Sequence, residues 1–170
     1  RWKTLRFEED DQAFTDASQK TDRSFKAGAI AMGAKVEIST LPGYLPTLAE
    51  EALPELKHAA EISASGIPVI EASGHAGGST DVGDVQHLMP VYTFNTGGVK
   101  GGLHQIDFEV TNEEEAYIVT AKMFALAAYG LLKEKAQRSR ELVDQYEPVF
   151  KNSAEYVEFM EQFDSKEIFE

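Results

Sequence analysis

Gly74-His75-Ala76-Gly77-Gly78-Ser79-Thr80-Asp81-Val82-Gly83-Asp84-Val85-Gln86-His87-Leu88-Met89-Pro90 leads into an apolar run, Val91-Tyr92-Thr93-Phe94. After it comes a second glycine-rich piece, Gly97-Gly98-Val99-Lys100-Gly101-Gly102-Leu103-His104-Gln105-Ile106-Asp107-Phe108. Three of the four histidines lie in this stretch. Chain so rich in glycine buries little side-chain surface, and backbone that must pass close to a ligand is one reason for it to exist. The plainer alternative is two turns flanking a strand. Ser79, Thr80 and Asp81 are good N-cap residues, and Asp81 to Leu88 reads as a short helix stopped by Pro90. Val91 to Phe94 is β-branched and aromatic, as a buried central strand is. Ile106, Phe108 and Val110 alternate as a short strand.

Upstream, Trp2, Leu5 and Phe7 sit in a short run with strand character. Apolar residues then recur at helical spacing from Asp11 to Met32 (Phe14, Ala17, Thr21, Phe25, Ala29, Met32), and Gly33 stands where a helix-ending glycine belongs. Val36-Glu37-Ile38 alternates as a strand. Residues 2 to 39 thus read as strand–helix–strand. Leu41-Pro42-Gly43-Tyr44-Leu45-Pro46 breaks the regularity and marks a domain boundary. A helix is expected from about Thr47 to Ser63, kinked or divided at Pro54, with His58 on its surface. Ile67 to Ile70 reads as extended.

Downstream, Thr111-Asn112-Glu113-Glu114-Glu115 is a cap followed by acids, a clear helix start. The helix is expected to run to about Lys135, burying Tyr117, Ala121, Phe124, Ala128 and Leu131. Ser139 to Phe150 and Asn152 to Phe163 read as two further helical pieces. Their stripe of Tyr146, Phe150, Tyr156, Phe159 and Phe163 either packs on the core or holds a partner chain.

The chain has 170 residues, 42% of them hydrophobic, enough for a core in one domain or two small ones. Its net charge of −13 argues against nucleic acid and against docking on anionic membrane. No cysteine is present, so there is no disulfide framework, thiolate zinc site or cysteine nucleophile. This fits a reducing compartment, and a cytoplasmic location is expected. No apolar run is read as long enough to span a bilayer. Residue 1 is Arg, with no apolar signal region after it, so the expectation is a processed chain or a piece of a longer one.

His104, after a flexible glycine loop and before a strand, is the foremost metal-ligand candidate. His75 lies in a similar loop, and His87 reads as a surface residue of the short helix. Asp81 and Asp84 share a helical face and suit either a metal or a capping role. No His-x-x-x-His pair, phosphate loop or dinucleotide fingerprint is present.

Gly78-Ser79-Thr80-Asp81-Val82-Gly83-Asp84-Val85, then Gly102-Leu103-His104-Gln105-Ile106-Asp107-Phe108 and a helix ending in Leu131-Leu132, resemble the C-terminal part of the di-zinc aminoacylase/carboxypeptidase metallohydrolases. The nearest branch is the p-aminobenzoyl-glutamate hydrolase type of amidohydrolase. Asp16 to Ile38 resembles the last helix and strand of that family's ferredoxin-like satellite domain, and Leu41 to Pro46 its return to the catalytic domain. The resemblance covers roughly residues 2 to 135. It implies that His104 is a zinc ligand and that Gly78, Ser79, Thr80 and Asp81 line the substrate pocket. It also implies that the remaining ligands and the glutamate base lie in an N-terminal segment this chain lacks. The residue after the ligand histidine is often Ser or Lys in the family, and here it is Gln105.

The expected fold is α/β, the C-terminal half of a zinc-peptidase-like catalytic domain (41–137). It is preceded by part of a ferredoxin-like satellite, or dimerisation, domain (1–40) and followed by a helical tail (138–170). The expected function is that of the C-terminal segment of a metal-dependent amidohydrolase or peptidase, incomplete and inactive alone. In the complete enzyme, zinc or manganese would activate water against the amide of an N-acyl amino acid or aminobenzoyl-glutamate-like substrate. The expected partners are such a carboxylate-bearing amide and either further copies of the chain or the missing N-terminal segment, with no nucleic acid or membrane. The alternatives are a non-catalytic interaction module and a small mononuclear metal protein using His75, His87 and His104.

Overall fold

The computed structural model describes residues 3–4, 11–48, 53–64 and 80–170. The chain is mixed helix and sheet, which bears out the α/β expectation at that level. Contacts divide it into two compact units, one of Arg1–Leu48, Gly77–Val91 and Glu147–Glu170, the other of Ala49–Ala76 and Tyr92–Tyr146.

In the first unit, strand β1 (Lys3–Thr4), helix α1 (Asp11–Met32) and strand β2 (Val36–Leu41) form the expected strand–helix–strand. The two strands are parallel, with Lys3 opposite Thr40. The helix ends as the sequence predicts. Gly33 takes φ 60°, its N–H reaches the Ile30 carbonyl at 3.1 Å, and the Ala34 N–H reaches Ala29 at 2.9 Å. This is the paired-bond ending that a left-handed glycine permits. The inward face of α1 is rotated from the one expected. Ala29 is buried and Phe25 half-buried, but Ala17 and Thr21 are exposed and Met32 is 81% exposed.

A third strand, which the sequence reading did not assign, closes this sheet. The stretch grouped with the helical tail does form a helix, Ser153–Glu161, but it ends in a strand, Ser165–Phe169. That strand runs antiparallel to β2, with Val36 opposite Phe169 and Thr40 opposite Ser165. Its side chains are mostly exposed, and ion pairs hold it to its neighbours. Lys26 meets Glu167 at 2.7 Å, Lys166 meets Glu37 at 3.0 Å, and Lys35 pairs with Glu170. A strand lacking apolar alternation escapes periodicity, since its place comes from cross-strand pairing.

The helix before it is well capped. Asn152 accepts the Ala154 and Glu155 N–H groups, both at 3.0 Å, while Glu155 reaches back to the Lys151 N–H at 2.8 Å. Phe150 and Met160 are buried with Leu45, and Leu88, Tyr156, Phe159 and Phe163 pack round them. Of the two readings of the aromatic stripe, these residues follow the core one.

In the second unit, α2 (Pro54–Ser63) starts at Pro54 where a kink was expected. Proline has no N–H to lose at the first turn of a helix, so a start there is the cheaper solution. His58 is exposed, as read. Val91 to Phe94 is not a strand, which corrects the central-strand expectation. Phe94 packs on Phe124 at 4.7 Å and against Ala60, Ala64, Val119 and Met123, so side-chain burial holds the segment in place of a ladder. The strand expected over Ile106 to Val110 shrinks to β4 (Glu109–Val110), paired with β3 (Val99–Lys100). Ile106 stands fully in solvent.

A π-helical turn, Glu114–Val119, leads into α4 (Thr120–Gln145). Val119, Met123 and Ala127 are its buried residues, whereas the expected face is mostly exposed, Tyr117 at 56% and Phe124 at 62%. The helix is apolar on more than one side, so periodicity alone does not choose the stripe. Met123 and Val119 cluster with Ala60 and Ala64, small residues that let the helices approach closely. Backbone angles break α4 at Lys133 (ψ 164°), and Glu134, Lys135 and Ala136 follow at φ 53°, 59° and 58°. Each left-handed residue other than glycine costs about 1–2 kcal/mol. The expectation that no run is long enough for a bilayer is also corrected. By length and composition alone, Glu114–Gln145 is. Lys122, paired with Glu114 at 3.4 Å, lies within it.

Candidate functional site

Thr80 and Asp81 stand exposed at the start of a one-turn helix, α3 (Val82–Gln86). The Thr80 hydroxyl accepts the Val82 N–H at 3.4 Å and donates to Asp81 Oδ1 at 3.3 Å. Asp81 occupies the cap position but makes no side-chain capping bond, which corrects the helix-cap role for that residue. Gly78, Ser79 and His75 lie outside the described residues.

The rest of the motif is structural. Asp84 Oδ1 accepts the Leu45 N–H at 2.9 Å, and Gln86 Oε1 accepts the Leu48 N–H at 3.0 Å. The Gln86 amide also donates to the Val91 carbonyl at 3.1 Å. Gly83 lies so close to the 45–46 backbone that a Cβ there would overlap the Leu45 carbonyl oxygen. Asp-Val-Gly-Asp-Val-Gln is therefore a clamp on the Leu45–Leu48 segment. Asp84 also interacts with the Tyr156 hydroxyl. Burial first, and then the Asp84 charge and hydrogen bonding with it, raise the Tyr156 pKa above its ordinary value. Sequence reading missed Gln86 and Tyr156, although the alternation of small and polar residues in the motif was a signal for the former.

His87 corrects its reading as a surface residue. It is buried, its Nδ1 lies 2.7 Å from the Gly83 carbonyl oxygen, and its ring lies 5.9 Å from that of Phe150. The Phe150 N–H donates to its carbonyl at 3.1 Å. These are the contacts of a helix-ending core residue.

His104 belongs to the second unit, so it and the Thr80–Asp81 pair are carried by different units. It is exposed, with φ 62°, inside a turn closed by the Gln105 N–H on the Gly102 carbonyl at 3.1 Å. The first half of its loop has a structural cause. Gly98 has φ 83°, a Cβ there would run into the Asn112 carbonyl and the Ala116 nitrogen, and its own carbonyl accepts the Thr111 and Asn112 N–H groups. The close approach at Gly98 is thus to the start of the long helix, and Leu103 and His104 project beyond it.

Among the described residues no three His, Asp or Glu side chains gather as a metal shell.

One further charged cluster lies at the break in α4, where Gly130, Lys133, Glu134, Gln137, Arg138 and Glu141 line a cleft of about 210 Å³. Arg138 Nε donates to Glu55 Oε1 at 2.9 Å, and the buried Glu55 Oε2 has no partner among the described residues. Comparison with family models, curated proteins and solved structures finds no match for this chain.

Proposed function

We propose that this chain is the C-terminal segment of a metal-dependent amidohydrolase or peptidase of the di-zinc aminoacylase/carboxypeptidase type. In this reading residues 1–40 are the ferredoxin-like satellite part, 41–137 the closing part of the catalytic domain and 138–170 its tail. The observation that carries the reading is the setting of His104. Its imidazole is presented to solvent from a left-handed position in a closed turn, and strain of that kind is kept where a side chain must be aimed. Thr80 and Asp81 are exposed, and among the described residues their side chains hold each other and the first turn of α3. They are therefore available to a substrate carboxylate or its amide.

In the complete enzyme, zinc or manganese would supply an activated water for amide hydrolysis. The contribution of this chain is one imidazole ligand, His104, and the Gly78–Asp81 loop that orients the substrate. The chain alone is proposed to be inactive and to reside in the cytoplasm, associated with the catalytic remainder or with further copies.

The test is twofold. The coding sequence upstream of Arg1 should contain a His-x-Asp and a Glu-Glu pair, and their absence from an extended reading frame would refute the hydrolase reading. The isolated chain, assayed with zinc or manganese on N-acyl amino acids and p-aminobenzoyl-glutamate, should show no turnover. Turnover that survives purification and is abolished by His104→Ala would refute the incompleteness.

A further inference from the structure

Residues 128–142 read Ala-Tyr-Gly-Leu-Leu-Lys-Glu-Lys-Ala-Gln-Arg-Ser-Arg-Glu-Leu, almost all strong helix formers apart from Gly130. Yet Glu134, Lys135 and Ala136 are all left-handed, and none of them is glycine. Local preference and tertiary arrangement therefore disagree at this point, and something beyond the segment must hold the break.

Two contacts do so. Arg138 Nε donates to Glu55 Oε1 of α2 at 2.9 Å, and the Ser139 hydroxyl donates to the Leu131 carbonyl at 2.8 Å. The second contact joins residues eight apart, which a straight helix would separate by about 12 Å. It exists only because the chain turns back. The arrangement also leaves the buried Glu55 Oε2 with no partner among the described residues.

A second arrangement is written into the same residues. In a continuous helix Glu134 and Arg138 stand four apart, with the acid N-terminal, the favoured order for such a pair. Arg138 thus has two carboxylates to choose between, Glu55 when α4 is broken and Glu134 when it is straight. Glu141, 3.8 Å from Arg138 Nη1, follows Arg138 in either case because it lies on the same helical piece.

We propose that residues 133–136 form a hinge between the broken α4 and one continuous helix over 120–145, with the Arg138–Glu55 pair as the latch of the broken form. Straightening exchanges Glu55 for Glu134, removes three left-handed residues and closes the cleft at the break. The hinge is independent of the hydrolase reading.

A protease that cuts only after lysine tests this on the whole chain, through its cleavage rates after Lys133 and Lys135. Each rate is normalised to that of the same variant unfolded in urea. Glu55→Gln releases the latch and leaves Arg138 free for Glu134, so the ratio of broken to straight form should fall about fivefold, the factor that about 1 kcal/mol is worth at 25 °C, and cleavage should slow. Ala136→Gly favours the left-handed form and should speed it. Faster or unchanged cleavage in Glu55→Gln would overturn the proposal. Should Glu55→Gln fail to fold, the unsubstituted chain still decides. Relaxation-dispersion NMR should find Glu134, Lys135 and Ala136 exchanging together between positive and negative φ. A single conformation without exchange would overturn the hinge.

Discussion

Replacing Gly83 with alanine sets two effects of opposite sign against each other. An alanine inside a helix is favoured over glycine by about 1 kcal/mol. A Cβ at position 83, however, would overlap the Leu45 carbonyl oxygen, and the Pro46 carbonyl lies within 2.8 Å of it as well. Both obstacles are backbone, so no side chain can rotate out of the way. Either the overlap is absorbed, at about 1–3 kcal/mol for overpacking, or α3 withdraws from the 45–48 segment. Withdrawal sacrifices the Leu45 N–H to Asp84 bond and the Leu48 N–H to Gln86 bond. The first, to a charged acceptor, contributes about 1.5–3 kcal/mol and the second about 1 kcal/mol. Less the propensity gain, the expected net loss is up to about 2 kcal/mol if the overlap is absorbed and about 1.5–3 kcal/mol if α3 withdraws. Urea denaturation followed by circular dichroism measures the loss, and hydrogen exchange at the Leu45 and Leu48 amides localises it, since both should lose protection. An unchanged or higher urea midpoint would show that propensity wins and that the close approach at Gly83 is not made.

The remaining predictions are simpler. Tyr156 is harder to ionise folded than unfolded, so the unfolded chain loses that proton first above about pH 10. The stabilisation is therefore whole below that pH and is lost as pH rises through the folded value. Asp84→Asn should lower the Tyr156 titration midpoint, and phenolate absorbance against pH would show no change if the two groups do not interact. Asn152→Ala removes the acceptor of two helix-start N–H groups and should cost about 1 kcal/mol in urea unfolding; no measurable loss would deny the cap. His104→Gly should stabilise the chain by up to about 1 kcal/mol, because glycine adopts a positive φ without penalty. On the proposed hydrolase reading, the same change in the complete enzyme should abolish turnover and lower metal content, and a variant that keeps both would refute the ligand role proposed for His104.

Where the pattern is local, the sequence determined much of this protein. The strand–helix–strand of the first forty residues, the glycine that ends α1, the short helix after Asp81 and the helix start at Asn112 all follow from capping chemistry and 3.6-residue spacing, which act within a few residues. The placing of His104 in a glycine turn ahead of a short strand was also legible, because glycine clusters mark turns by their own backbone freedom. What only the tertiary structure decided depends on residues distant in the chain. Met123 and not Phe124 is buried because the small side chains of α2 lie against that side of an all-round apolar helix. His87 is a core residue because Phe150 comes back to cover it. The last strand forms because β2 offers it an edge and three cations meet three acids. The left-handed turn at 134–136 defies its own sequence, since Arg138 finds Glu55 on another helix. The partner that bends this helix-forming segment comes from elsewhere in the chain, and a partner of that kind leaves no trace in local spacing.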